Sequence, residues 1–489
     1  MEHMGTDGDF QVVSDQVLKL MDEGAFAQAQ AAAKQLTAAH SEHPGAWSLL
    51  GSVWLALGDV AEAEACFHRA LELGGEDWWC CYSISTVQLL RGDMEGAIAW
   101  CQRALKCKPE EPLLHMRLVD AYTYRGALEQ AVKEAKKAVK VATGTPEELR
   151  ARLLLGNLYL VMQSLAEAAG QFRAAVALES SNTDAWANLG HCYSRLGRPE
   201  EALNAFRKAI ELAPRDPGLL YNLGDAYLAV GQSEKAVGPL MQAVQYRPDF
   251  SLASYDLSLA FFELDKYPEG AAAARAALRG DEKMESQQSN LGLGATQNLG
   301  ICLMNQGKLE DALACFERNL SLLAPNYFNR GLTLFRMGRY NEAVRDFERA
   351  LELQPDEAEY LDLLGQSYWE LGQPDRGERW LRRAVKTDPN YAVGYYDLGI
   401  RLAKTKAKRT QAQRCFERAL SLDSKMVEAH FALACLHAVA GKKKVALECL
   451  KKSLEKGFQD FERIDAARDL RALRSENEFR QLVAKFRKA

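Results

Sequence analysis

No window of this 489-residue chain approaches the roughly 18 apolar residues in a row that a membrane-spanning helix requires. Residues Met1 to Phe10 carry neither the basic segment nor the apolar core of a secretory leader, so a cytoplasmic protein is the expectation. The eleven cysteines include no CxxC pair and are too thinly spread for a disulfide framework, so reduced thiols are expected. Cys66, Cys315, Cys415 and Cys449 fall at one recurring phase of the repeat described below, as small core residues would. Motifs that carry chemistry are missing as well. There is no GxxxxGK(S/T), GxSxG or HExxH sequence, and Gly292-Leu293-Gly294 has neither a third glycine nor a strand before it. His40 and His43 fall in a turn, while His430, Cys435 and His437 share a helix with core positions, so packing rather than metal binding is expected of them. No catalytic residue, metal, cofactor or small-molecule substrate is expected.

What the chain does have is ordinary globular composition, 48% apolar and 26% charged, which excludes a largely disordered molecule. A length prior of about 150 residues per domain would give about three domains, but an internal period takes precedence over it. Shifting the chain against itself by 34 residues aligns Trp186-x2-Leu189-Gly190-x2-Tyr193, Ala202-x3-Phe206, Ala209 and Pro214 with Leu220, Leu223, Gly224, Tyr227, Ala236, Leu240, Ala243 and Pro248. Leu361, Leu364, Gly365, Tyr368, Leu381, Ala384 and Pro389 repeat the pattern. Counting phases from Thr183, the large residues at phases 4, 7 and 11 form one helical stripe. Gly at phase 8 and Ala at phase 20 remove side chains where two helices touch. Glycine near phase 15 turns the chain between the helices, and proline at phase 32 ends the second helix. Each unit is thus a helical hairpin that cannot bury its own apolar face, so units must stack into a solenoid.

This pattern resembles the tetratricopeptide repeat family. The resemblance implies an all-α fold, a right-handed superhelix of about thirteen hairpins with a carboxy-terminal capping helix. Residues 1–9 are expected to be a flexible tail, 10–284 the first eight repeats, 285–292 a polar insertion, 293–458 the last five repeats and 459–489 the cap. The first, fourth and eighth units are degenerate: Val13, Gln16 and Val17 replace the large-large-Gly set in the first, and Ser258 and Gly270 stand where Gly and Ala are usual in the eighth. Lys404 to Arg409 replace the glycine turn of the twelfth unit with a longer basic loop.

Phases outside the packed stripe, 2, 6, 9 and 13, report function, and by resemblance they line the concave face of the superhelix, where extended peptides or partner helices bind. Phase 6 gives Asn188, Asn222, Asp256, Asn298 and Asn329, then Leu363 and Asp397, with Asn157 at phase 9 of the fifth unit and His191, Arg195 and Asp225 beside them. An amide offers an acceptor and two donors, so it can pair with both the C=O and the N–H of an extended backbone. The run looks like the Asn ladder of O-linked N-acetylglucosamine transferase superhelices, although residues 459–489, after the last repeat, carry none of that enzyme's catalytic domain. Trp79, Leu90, Leu113 and Tyr124 make the first units greasier. The chaperone-tail clamp of some relatives is not expected, because Leu153, Gly218 and Asn222 stand where its cations should be.

Charge is uneven. The whole chain carries −5, yet residues 401–489 hold 22 Lys and Arg against 11 Asp and Glu. Lys404, Lys406, Lys408, Arg409, Lys442, Lys443 and Lys444 could form a basic patch, but without interleaved aromatics it does not point to nucleic acid or an anionic membrane. The expected function is therefore that of a non-enzymatic scaffold or adaptor binding an extended segment or helix of a protein partner in the groove. The alternative is an assembly subunit of a multiprotein complex, docking through its convex face and basic end.

Overall fold

A computed structural model describes residues 6–282, 290–318 and 323–487. Among them there is no strand, and consecutive helices pair into thirteen hairpins. They fall into two compact units, Met1–Tyr246 and Arg247–Ala489. In the first unit the hairpins are α1 (Thr6–Asp22) with α2 (Phe26–Ala39), α3 (Pro44–Ala56) with α4 (Val60–Gly74), and α5 (Trp78–Arg91) with α6 (Met94–Cys107). Next come α7 (Pro112–Tyr124) with α8 (Leu128–Ala142), and α9 (Glu148–Val161) with α10 (Leu165–Leu178). The unit closes with α11 (Thr183–Arg195) and α12 (Pro199–Leu212), then α13 (Pro217–Ala229) and α14 (Ser233–Tyr246). The second unit holds α15 (Ser251–Glu263) with α16 (Tyr267–Glu282), α17 (Asn290–Asn305) with α18 (Leu309–Arg318), and α19 (Ala324–Arg336) with α20 (Tyr340–Leu353). Then follow α21 (Ala358–Glu370) with α22 (Pro374–Thr387), α23 (Ala392–Ala403) with α24 (Arg409–Leu422), and α25 (Val427–Val439) with α26 (Lys443–Glu455). The chain ends in α27 (Phe461–Ala466), a 3-10 turn and α28 (Asn477–Arg487). Residues 285–289 of the expected insertion lie outside the described residues, and its remaining three open α17.

Local chemistry sets these boundaries. Asp59, Asp77, Asp93, Asn182 and Asp216 cap helix starts by accepting from backbone N–H groups, and Pro44, Pro112, Pro199, Pro217 and Pro374 occupy first-turn positions where no N–H is needed. Between helices the chain passes through the left-handed region at a glycine such as Gly92 (φ 80°), while Gln163 and Asp265 take that conformation in repeats five and eight (φ 61° and 56°). In repeat twelve a 3-10 turn, Lys406–Lys408, bridges the two helices without a glycine.

Inside eight of the thirteen hairpins the packing follows one size rule. A Cβ on Gly190 would lie 2.6 Å from the ring of Phe206, on Gly300 2.7 Å from Phe316, and on Gly399 2.6 Å from Phe416. A large residue thus fills the notch of a phase-8 glycine some 16 residues earlier. The degenerate units invert the rule: fully buried Val17, Val119 and Ser258 stand at phase 8, and each is followed 16 positions on by a fully buried alanine, Ala33, Ala135 or Ala274. Ser258 also donates its hydroxyl to the Tyr255 carbonyl (2.6 Å). The cap continues the core, because Ile464, Leu470, Leu473, Phe479 and Val483 pack on Phe431, Leu450 and Phe458 of the last repeat.

Candidate functional site

The first helix of each hairpin carries the residues at issue. In the first unit, Asn157 on α9 is exposed and Asn188 on α11 is half-buried, and the Asn188 Nδ2 donates to Asn157 Oδ1 at 3.5 Å. Asn222 on α13 is half-buried and makes no side-chain hydrogen bond to another described residue. Between these rungs the Arg195 guanidinium donates to Gln163 Oε1. His191 is held below its ordinary pKa by partial burial and by Arg195, while burial raises the carboxyl of Asp225, with His191 opposing that rise. Phase 9 of one repeat and phase 6 of the next are therefore close enough for contact, and these amides keep spare donors and acceptors.

In the second unit the phase-6 residues are Asp256 on α15, Asn298 on α17, Asn329 on α19 and Asp397 on α23, all half-buried. The Asn298 Nδ2 donates to Ser258 Oγ at 3.2 Å, so this rung is tied to the repeat before it. Asn329 makes no side-chain hydrogen bond to another described residue. Asp397 meets a partner that the phase-6 pattern does not show. Asp362, at phase 5 of the preceding repeat, is 2% exposed and within hydrogen-bond reach of it. Asp362 Oδ2 accepts from Gln366 Nε2 (3.0 Å) and the Tyr391 hydroxyl (3.5 Å). Burial and the Asp397 charge push Asp362 up to about 8, and burial pushes Asp397 up to about 6 against the pull of Arg401. Both carboxyls are thus held above the ordinary carboxylate range. Arg401 in turn donates to Glu370 (2.9 Å). A carboxyl at phase 5 facing one at phase 6 of the next repeat, 35 residues on, was the available signal.

The expected basic patch is divided. Lys408 pairs with Glu378 and Lys443 with Glu476, each at 2.6 Å, whereas Lys404 and Arg409 line a cavity and Lys406, Lys442 and Lys444 are exposed. In the first repeats Trp79 and Tyr82 rings lie 5.5 Å apart, Arg117 donates to the Tyr82 hydroxyl (2.7 Å), and Leu90 and Tyr124 are exposed. Leu113 is half-buried. His430 and His437 are buried, which lowers both imidazoles, and all eleven cysteines are free thiols. No helix among the described residues is long and apolar enough to cross a membrane.

Among known proteins, a curated relative, tetratricopeptide repeat protein 37 of Xenopus laevis, is 26% identical over 27% of this chain, and the match covers 9% of that protein's length. Solved structures that resemble the chain include MamA (24% identical, 35% of this chain and 92% of that one, TM-score 0.33). A second is YrrB, described as a TPR protein with an unusual peptide-binding site (24% identical, 38% and 95%, TM-score 0.35). A third is the Cut9-Hcn1 hetero-tetramer of APC/C (14% identical, 96% and 95%, TM-score 0.40). Tetratricopeptide repeat profiles match residues 15–77, 116–182, 183–216, 205–238 and 328–392, together just over half of the sequence. With the hairpins and the phase-8 notches following the same period, the chain belongs to the tetratricopeptide repeat family.

Proposed function

We propose that this protein is a non-enzymatic scaffold that binds an extended segment of a protein partner along the inner faces of its first helices. The family binds protein partners; the finer reading rests on the phase-6 amides. Asn222 and Asn329 are half-buried, have no partner among the described residues, and sit where the pattern repeats. In this reading Asn157, Asn188 and Asn222 pair with peptide backbone in the first unit, as Asn298 and Asn329 do in the second. His191, Arg195, Asp225, Asp256 and Asp397 select among side chains. Amide pairing to backbone supplies register without demanding a sequence, and the charged neighbours supply choice.

The test compares capture from native lysate by wild type and by a variant carrying Asn157→Ala, Asn188→Ala and Asn222→Ala, followed by synthesis of the captured segment. Capture is expected to be lost in the variant while helical circular dichroism is unchanged. N-methylation of the peptide backbone is expected to abolish binding to wild type. Retained capture by the triple variant, or indifference to N-methylation, overturns the ladder.

A further inference from the structure

The basic end, which the groove reading leaves without a role, frames a cavity in the second unit. Its volume is about 620 Å³, within the range of small-ligand sites, roughly 300–1,000 Å³. The walls come from five elements: Ile400 of α23, Phe416 of α24, Phe431, Leu436 and Val439 of α25, the short cap helix α27 and the 3-10 turn after it, which carries Asp469. The apolar side chains stay in place for reasons of their own, since Phe416, Phe431 and Leu436 are core residues of 0%, 4% and 8% exposure. Three cations converge on this hollow, Lys404, Arg409 and Arg463, against a single carboxylate, Asp469.

Their lack of carboxylate partners is informative, although Arg463 is also hydrogen-bonded to Tyr396. Lys408 and Lys443 are neutralised by ion pairs, whereas none of the three cavity cations lies within ion-pair distance of a carboxylate among the described residues. Lys404 lies over the Trp369 ring (5.7 Å) and Arg463 over Phe431 (5.2 Å), contacts that hold cations beside apolar surface without cancelling their charge. A cation at the edge of a low-dielectric wall attracts an anion more strongly than one in open water. The lining contains no Asn, Gln, Ser or Thr side chain, so it offers none of the amide or hydroxyl groups that would pair a peptide backbone.

We infer that this cavity is a ligand site for an amphiphilic carboxylate, an aliphatic chain of fatty-acid type lying against the accessible side chains of Ile400, Ala403 and Val439 with its carboxylate held by Lys404, Arg409 and Arg463. The chain supplies affinity in proportion to the apolar surface it covers, and the guanidinium fork of Arg409 matches a carboxylate head as a charge-assisted partner.

Isothermal titration of the full chain with dodecanoate, below the concentration at which it forms micelles, tests this. Dodecyltrimethylammonium, with the same chain and opposite charge, serves as the control. One-to-one saturable binding of dodecanoate is expected, at least tenfold tighter than any binding of the cationic amphiphile. The pair Lys404→Glu and Arg409→Glu is expected to weaken dodecanoate at least tenfold while leaving the helical circular dichroism signal unchanged. Val439→Trp, at a 37% exposed position where a larger side chain can be accommodated, is expected to block the chain by filling the hollow. Absence of saturable binding, equal binding of the two amphiphiles, or indifference to both sets of substitutions overturns the proposal. So does displacement of dodecanoate by a Glu-Leu-Glu peptide that binds more tightly, which would assign the cavity to a protein segment.

Discussion

The size rule inside the hairpins makes a prediction that neither residue of a pair makes alone. In repeat six, Gly190 and Phe206 face each other, and an added Cβ would stand 2.6 Å from the ring, well inside van der Waals contact. Gly190→Val therefore overpacks the hairpin, costing about 1–3 kcal/mol. Phe206→Ala empties a site that is 3% exposed, which for core phenylalanines costs about 3–5 kcal/mol. If the two were independent, the double variant would lose about 4–8 kcal/mol, the sum of those ranges. Repeats one and four already carry the swapped pair, as Val17 with Ala33 and Val119 with Ala135, all fully buried. The valine should then occupy part of the space the ring leaves, and the double variant is expected to be at least about 2 kcal/mol more stable than that sum. Because a thirteen-hairpin array need not unfold in one step, the measurement is native-state hydrogen exchange read by mass spectrometry on peptides from α11 and α12. A coupling of that size appears as roughly a thirtyfold gain in protection over the additive expectation. Strictly additive losses would refute the rule and leave the inverted pairs of the degenerate repeats unexplained.

Three further outcomes follow from the packed polar groups. Asp362 and Asp397 both titrate above the ordinary value of 3.8, so the folded chain keeps protons that the unfolded chain has lost. Protection of α21 and α23 should therefore fall as pH rises from about 4 to about 8 and then level off. Asp362→Asn, which retains a donor toward Asp397, is expected to flatten this fall in exchange measured at matched pH, and an unchanged slope would refute the raised carboxyl of Asp362 as its cause. Asp346, whose side chain is 6% exposed, accepts two hydrogen bonds from Arg330 at 2.7 and 2.5 Å. Asp346→Ala leaves a mostly buried guanidinium uncompensated and should cost about 3–5 kcal/mol in local stability of α19 and α20, read by the same exchange measurement. Cys107 is the one exposed thiol, while burial pushes Cys80 and Cys435 to about 12 and Cys66, Cys81, Cys101, Cys192 and Cys302 to about 11. Iodoacetamide at pH 7.5 is therefore expected to label Cys107 first, and mass spectrometry of the early product decides it.

The hairpins were legible because their determinants are local and recur. A helix start needs an Asp, Asn or proline, a turn needs a residue that tolerates positive φ, and a close crossing needs a small side chain, so each leaves a mark at a fixed phase. What stayed hidden depends on pairs in different helices. Val119 looks like a defect when phase 8 is read alone, and its sense comes from Ala135 across the hairpin. Likewise Leu363 looked like a gap in the phase-6 ladder, while the polar group that meets Asp397 comes one residue earlier, from Asp362. The basic run was visible as charge, but its division into paired Lys408 and Lys443 and cavity-lining Lys404 and Arg409 depends on where Glu378, Glu476 and the cap helix fall.

If the phase-6 amides bind a partner as proposed, packing and recognition fall at different phases, and that separation has a consequence for dissecting the chain. Phases 8, 20 and 24 are filled by residues at or near zero exposure, and a change at one of them requires a compensating change at another. Phase 6 is under no such constraint at Asn222 or Asn329, which bond to no other described side chain. Since each repeat is stabilised chiefly by its own hairpin and its neighbours, a phase-6 residue can be exchanged without disturbing the stack. Asn222→Ala should thus change exchange protection of α13 by less than about 0.5 kcal/mol, the usual range for surface positions. A much larger loss would mean that the asparagine holds the repeat together, and the inner-face amides would then have to be read as structure instead of recognition.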